Sequence, residues 1–177
     1  MSAEADDIAD LIAELRLAFA TLTLMPGLIN QPDFLDYLAT HGFDRGSSVR
    51  LGRKDGTYYE GLDIHESLAS ATGHAPFNRL QLGLALFMIF SFVGDRLAEE
   101  KYFDKTPELE FFRHVRNALS HGNKFHFIGK EPVRPASFHA FTLTRADQGS
   151  NLFFEYMSTG DAMDLLDDVE AHLRSLP

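Results

Sequence analysis

The 177-residue chain contains no cysteine. This absence excludes a disulfide framework, a thiolate metal site and a cysteine nucleophile, and it is compatible with a reducing compartment. A membrane-length apolar run is also missing, because the most apolar stretch, residues 80–93, is interrupted by Gln81 and Ser91. A membrane-spanning helix needs roughly 20 apolar residues. We therefore expect no membrane partner and interpret residues 80–93 as part of a buried helix.

The sequence also lacks the marks of targeting and of linkers. The first residues, MSAEADDIADLI, are acidic, whereas a secretory signal begins with basic residues followed by a long apolar core. No Pro/Ser-rich linker, internal repeat or low-complexity segment divides the chain. With 45% apolar residues it can bury a sizeable core. We expect an unprocessed, cytoplasmic protein with a single domain over residues 1–177.

Positive charge is scarce overall, with a net charge of −10. This argues against general nucleic-acid affinity, because Lys and Arg supply most of that binding. Residues 113–145, however, contain six Lys or Arg and one acid, whereas the residues from Ala146 onward contain seven acids and one arginine. This basic island predicts a local anionic ligand such as phosphate. The alternative is a solvated surface that balances the acidic C-terminal helix.

Hydrophobic periodicity predicts a mainly helical chain. Apolar residues recur at helical spacing from Asp6 to about Leu24, before Pro26-Gly27, and again from Thr159 to the C-terminus. A shorter helical stretch follows Pro32 and stops at His41-Gly42. The segment from Phe77 to about Glu100 is apolar on nearly every side, which is typical of the centre of a bundle or of an oligomer interface.

Two segments have strand character instead. Ser137–Arg145 alternates, Ala146–Asn151 resembles a turn, and Leu152–Met157 is β-prone, so a small β-hairpin is predicted near the C-terminus. The Gly-rich segment Gly42–Gly61 predicts either a second hairpin or a mobile loop. The expected fold class is therefore mainly α, a bundle of four to five helices with a small β-hairpin.

The most informative segment is residues 111–127, FFRHVRNALSHGNKFHF. Thr106-Pro107 is a strong helix start and Gly122 a helix end. On a helix with about 100° per residue, Phe111 to Gly122 divide into an apolar face and a polar strip. Arg116 and His121 are about 140° apart and about 7.5 Å apart along the axis, so they flank the polar face without touching. The strip comprises Arg113, Arg116, Asn117, Ser120, His121 and Lys124.

Arg116-Asn117, followed by three residues and His121, resembles the R-x(4–6)-H signature of the HEPN superfamily. The resemblance implies a bundle of four or five helices, usually homodimeric. In many toxin–antitoxin, abortive-infection and CRISPR-associated defence proteins the paired motifs form a metal-independent ribonuclease site. The specific part of the resemblance covers about six residues. The candidate C-terminal hairpin and the Gly42–Gly61 segment would be insertions or variants within such a family.

These residue types suit cleavage of RNA by its own 2′-hydroxyl, which needs a base, an acid and positive charge at the phosphorane. His121 would act as base or acid, Arg116 would clamp the phosphate, and Asn117 would orient the site. We expect a metal-independent endoribonuclease that acts on RNA as a toxin or defence effector, is a homodimer and has a cognate antitoxin. Further RNA or phosphate contacts are expected from Arg113, Ser120, Lys124 and His126.

Two other functions remain open at this point. A non-catalytic HEPN-like module would use the same strip to bind a nucleotide, RNA or a partner protein. A metal hydrolase would use Asp63, His65 and Glu66. Their spacing is poor for zinc, because Ala69 occupies the place where a zincin helix carries its second histidine.

Overall fold

The computed structural model of the chain describes residues 3–29, 31, 33–42, 48–63, 75–103 and 105–176. These residues are mainly helical and carry two small antiparallel hairpins, which confirms the predicted fold class. Among the described residues, no helix has both the length and the apolar character that crossing a membrane requires. The helices are α1 (Ala3–Ile29), α2 (Phe34–Thr40), α3 (Ala75–Glu99), α4 (Pro107–Ser120) and α5 (Thr159–Arg174).

The chain contains two compact units, one formed by residues 1–19 and 82–177 and the other by residues 20–81. The single-domain assignment stays a prediction.

The core of the first unit is rich in phenylalanine. Phe112 of α4 stacks on Phe90 of α3, with ring centroids 4.7 Å apart. On its other side α4 packs Phe111 against Phe138, at 5.9 Å. Burying each such ring contributes about 1.5–3 kcal/mol. These contacts hold α4 between α3 and the C-terminal hairpin, and they leave Ser120, His121 and Lys124 of the polar strip exposed.

Helices α1 and α5 of this unit are joined by a group of ion pairs. Arg16 of α1 pairs with Asp167 and Glu170 of α5. Arg174 of α5 bonds Glu170 and reaches Asp10 of α1 at 2.9 Å. Because most of these side chains are partly exposed, solvent screens the ion pairs and each contributes little to stability.

The second unit contains the hairpin β1 (Ser48–Gly52) and β2 (Tyr58–Asp63). Arg53 and Thr57 pair across the turn, with N···O of 2.7 Å, and Gly56 takes a positive φ of 82° that suits glycine. The hydroxyl and amide of Thr57 both donate to Asp55, which lowers the pKa of that carboxyl. Of the two alternatives for Gly42–Gly61, the hairpin is confirmed over the described part.

Two predicted boundaries were wrong. α1 does not end at Pro26-Gly27 but continues to Ile29. A proline inside a helix removes one backbone hydrogen bond and strains one turn, which disfavours the helix without forbidding it. The sequence also predicts Asp63 as the cap of a short helix, but Asp63 is the last residue of β2, and the rest of that predicted helix lies outside the described residues.

The C-terminal hairpin exists, but its strands are not those expected. β3 (Ser137–Phe138) pairs with β4 (Phe141–Thr142), so the chain turns at His139, whose φ is 47°. Leu152–Met157 forms turns instead of the second strand. The alternating residues Ser137–Arg145 predict one long strand, whereas the tight turn lies within this stretch.

Candidate functional site

Helix α4 carries the polar strip, and its ends are well defined. The Thr106 hydroxyl accepts a hydrogen bond from the Leu109 amide at 3.3 Å, and Pro107 occupies the first turn. The last helical residue is Ser120, and His121 is the C-cap. The chain then reverses at Gly122, whose φ is 70°. Gly122 is exposed and does not share the buried face, because the helix has already ended there.

Arg116 lies against α3 at Gly94, where an added side-chain carbon would displace it. A Cβ built on Gly94 would lie 2.7 Å from Cγ of Arg116, which is closer than carbon atoms approach. The aliphatic part of Arg116 therefore rests directly on the α3 backbone. Gly94 is buried beneath it. This close packing fixes the direction in which the guanidinium leaves α4.

The Arg116 guanidinium has two polar partners in the described structure. Nη2 forms an ion pair with the exposed carboxylate of Asp95, and Nη1 donates to Oδ1 of Asn117 at 3.3 Å. Nε is buried without a hydrogen-bond partner among the described residues. Asn117 thus contacts Arg116, whereas helical spacing predicts Asn117 as a neighbour of His121 and Ser120 as the neighbour of Arg116. An incoming anion would have to share Arg116 with Asp95 or replace it.

His121 lies just beyond the helix, where its imidazole is exposed. Its ring contacts the ring of His126, with centroids 4.4 Å apart. The structure thus brings two of the expected site residues together. The segment between them is fixed by Asn123, whose side chain accepts from the Phe153 amide at 2.9 Å and donates to the Phe153 carbonyl at 3.2 Å.

Ser120 and Lys124 have different surroundings. The Ser120 hydroxyl donates to the backbone carbonyl of Arg116 at 3.2 Å, so it does not hold the Arg116 side chain. Lys124 is exposed and follows the chain reversal, and its amide donates to the Ala118 carbonyl at 3.1 Å. Its backbone therefore lies at the C-terminal end of α4.

Arg113 is bound within the protein. Its guanidinium donates to Glu110 at 2.7 and 3.1 Å and to Glu131 at 2.9 Å. His114, only 1% exposed, lies beside this group, with Nε2 3.1 Å from Arg113 and 3.4 Å from Glu110. Arg113 therefore closes an internal ion network that joins α4 to the segment around Glu131, and its charge is already balanced.

The network shifts the pKa of its members. Burial, followed by the charge of Arg113, lowers the pKa of His114, against the opposing effect of Glu110 and Glu131. Burial alone would raise the pKa of Glu131, but bonds from the Ile128 amide and from Arg113 outweigh it and lower this pKa. His114 is thus favoured as the neutral imidazole, and its Nδ1 is buried without a partner among the described residues.

No protein-family model, curated protein or solved structure matches this chain. The resemblance to the HEPN signature therefore depends on the motif itself, Arg116-Asn117 and His121, and on the helix that carries it.

A metal site has little support in the described structure. Across the described ranges, no three His, Asp or Glu side chains lie close enough together to hold a metal ion. Of the residues considered for a metal hydrolase, Asp63 ends β2, whereas His65 and Glu66 lie outside the described residues.

Sequence reasoning missed two groups of residues. Gly94 and Asp95 lie more than 20 residues before Arg116, so no local pattern connects them to the motif. Glu110, Arg113 and His114 have a local signal, because spacings of three and four residues place Glu110 on the same helix face as the other two. That spacing would have predicted an internal ion pair in place of an RNA contact for Arg113.

Proposed function

We propose that this protein is a metal-independent endoribonuclease whose site comprises Arg116, Asn117 and His121. The observation that carries the proposal is the placement of these residues at the end of α4. There Asn117 orients the Arg116 guanidinium, and the His121 imidazole is exposed beside His126. The motif's resemblance to the HEPN signature extends the proposal to a toxin or defence effector.

The chemistry follows from the groups present. Arg116 would bind the scissile phosphate through paired N–H donors and stabilise the negative charge of the phosphorane. His121 would accept the 2′-hydroxyl proton or donate a proton to the leaving 5′-oxygen. Because Asp95 holds Nη2 of Arg116, the phosphate competes with this carboxylate for the guanidinium. A single protomer offers one guanidinium of this kind.

A homodimer would bring two copies of the Arg116 and His121 motif together. Leu84, Met88 and Phe92 form an exposed apolar stripe along α3, and Asp95 lies at the end of the same stripe at helical spacing. A second copy covering this stripe would place its own Asp95 and Arg116 near those of the first. The proposed groove between subunits would thus contain both motifs.

The test is RNA cleavage by purified protein in the presence of EDTA. Wild type should cleave, and Arg116→Ala and His121→Ala should each reduce the rate by at least about 100-fold, which is the usual contribution of a general acid or base. His139→Ala is the matched control, because it replaces an exposed, ion-paired histidine that lies on the C-terminal hairpin and not in the motif. It should cleave like wild type. A wild-type protein that leaves every RNA intact would contradict the proposal.

The second candidate is a non-catalytic module that binds a nucleotide, RNA or a partner protein through the same strip. The adjacent, exposed rings of His121 and His126 favour it, because two neighbouring imidazoles offer a ligand flat surfaces and hydrogen-bonding nitrogens without any catalytic step. Its distinguishing result is saturable binding that is lost in Arg116→Ala while the wild type cleaves nothing.

A further inference from the structure

A broad groove of about 660 Å³ lies in the first unit beyond the segment that carries His126. It is lined by residues 129–135 and 143–145. This volume is within the range of about 300–1,000 Å³ that is usual for small-molecule sites, so a nucleotide unit fits. We call it the basic groove.

The charge of the basic groove is positive. Lys130, Arg134 and Arg145 line it together with one acid, Glu131. The two oxygens of Glu131 are bound on the protein side, one by Arg113 at 2.9 Å and the other by the Ile128 amide at 2.8 Å. Lys130 and Arg145 therefore add positive charge beside a carboxylate whose two oxygens are both bound within the protein. In a chain of net charge −10, this favours a ligand with repeated negative charge.

Exposed apolar side chains accompany these cations. Val133 lines the groove and is 76% exposed, and Ile128 beside it is 70% exposed. Single-stranded nucleic acids present phosphates and unstacked base faces at regular intervals, and proteins bind them with cations interleaved with flat or apolar contacts. A free phosphate ion would use only the cations.

The groove is continuous with the His121 site. Phe125 and Phe127 are buried while His126 and Ile128 are exposed, so this segment presents alternate residues to solvent. The His126 ring is 4.4 Å from that of His121. At the far end, Nη1 of Arg145 donates to the Phe127 carbonyl at 3.4 Å and to the Glu131 carbonyl at 3.3 Å. An exposed path therefore leads from His121 past His126 into the groove.

We propose that the basic groove binds single-stranded RNA on one side of the scissile phosphate. Lys130, Arg134 and Arg145 contact its phosphates, and Val133 and Ile128 contact its bases. The inference rests on the proposed function for the position of the cut, but the groove's binding is measurable without cleavage.

The experiment measures the salt dependence of binding with a short, fluorescein-labelled single-stranded RNA. Each phosphate contact contributes about 0.7 to the slope of log affinity against log salt concentration, measured between about 50 and 200 mM. Lys130→Gln should therefore reduce the slope by about 0.7, and Lys130→Gln with Arg134→Gln by about 1.4. All proteins carry His121→Ala so that the RNA stays intact. Lys101→Gln with Lys105→Gln is the matched control and should leave the slope unchanged.

The outcomes separate this inference from the proposed function. An unchanged slope in both groove variants would overturn the proposal that the basic groove binds RNA, even if the wild type cleaves RNA. A reduced slope supports the groove, even if the wild type cleaves nothing and the nuclease proposal fails. An equal reduction of the slope in the control and groove variants would also overturn the proposal. The absence of any RNA binding would do the same. Lys130→Gln alters one exposed side chain, so it tests the groove even if the double variant is unstable.

Discussion

At the scale of single residues, the site depends on what surrounds Arg116. The motif supplies the guanidinium and the imidazole, but Gly94 and Asp95 determine where the guanidinium lies and which charge it faces. The sequence identified Arg116, Asn117 and His121, because their spacing is visible along one helix. The sequence did not identify Gly94 or Asp95, because contacts between residues of different helices produce no pattern in the local sequence.

Gly94→Ala should separate activity from stability. Its new methyl group would overlap Cγ of Arg116 and displace the guanidinium, whereas alanine in a helix is more favourable than glycine by up to about 1 kcal/mol. We expect RNA cleavage to fall at least tenfold while the thermal midpoint stays close to that of wild type. Cleavage assays with circular dichroism melting would check this.

Gly83→Ala is the control for Gly94→Ala, because it lies on the same helix and its added methyl group meets no atom within 4 Å. It should retain full activity. Normal cleavage by Gly94→Ala would show that the position of Arg116 is not critical.

At the scale of elements, the helices could be predicted and their connections could not. Caps and periodicity placed α3, α4 and α5 to within about two residues, because these signals are local. The pairing of β3 with β4 and the position of Glu131 beside Arg113 depend on contacts between distant residues. Arg113 was therefore assigned to RNA, although the fold uses it to hold α4 against the segment around Glu131.

This network should make stability depend on pH. The folded state lowers the pKa of His114, so unfolding takes up a proton once the pH falls below about 6.5, the usual pKa of histidine. Because the unfolded chain binds this proton more readily, the free energy of unfolding decreases as the pH falls from about 6.5 toward 5. The charged groups facing it are Glu110, Arg113 and Glu131. The pKa of Glu131 is also lowered, so protonation of this carboxylate decreases the free energy of unfolding only in more acidic solution.

His114→Phe keeps a ring against Phe127 but cannot titrate. We expect its urea midpoint to fall less than that of wild type between about pH 7 and pH 5. His126→Phe replaces an exposed histidine and should keep the wild-type pH dependence. Parallel pH profiles for wild type and His114→Phe would contradict the assignment.

At the scale of the whole molecule, the proposed groove between subunits depends on assembly. The apolar stripe on α3 lies at the surface, where the side chain of Met88 is 49% exposed and that of Phe92 is 56% exposed. Contiguous apolar surface of this kind is characteristic of protein interfaces. The sequence predicted a helix apolar on every side, and the described structure leaves one side of it uncovered.

We expect wild type to sediment at twice the 19.9 kDa mass of the chain. Phe92→Glu should be monomeric, because it places a charge within the stripe, and it should lose RNA cleavage together with the dimer. Leu22→Glu introduces the same charge at a similarly exposed position on α1 and should remain dimeric. Analytical ultracentrifugation distinguishes the two. A monomeric wild type that cleaves RNA would exclude the shared groove.

The ion pairs between α1 and α5 also determine when the first unit can form. Arg16 and Glu170 are 154 residues apart in sequence, and Asp10 and Arg174 are 164 residues apart. Closing so long a loop costs conformational entropy before any contact compensates for it, so such contacts form late in folding. During synthesis on the ribosome, α1 must wait until Glu170 and Arg174 have been made before it can form these pairs. Helix α5 therefore completes the unit that carries Arg116 and His121.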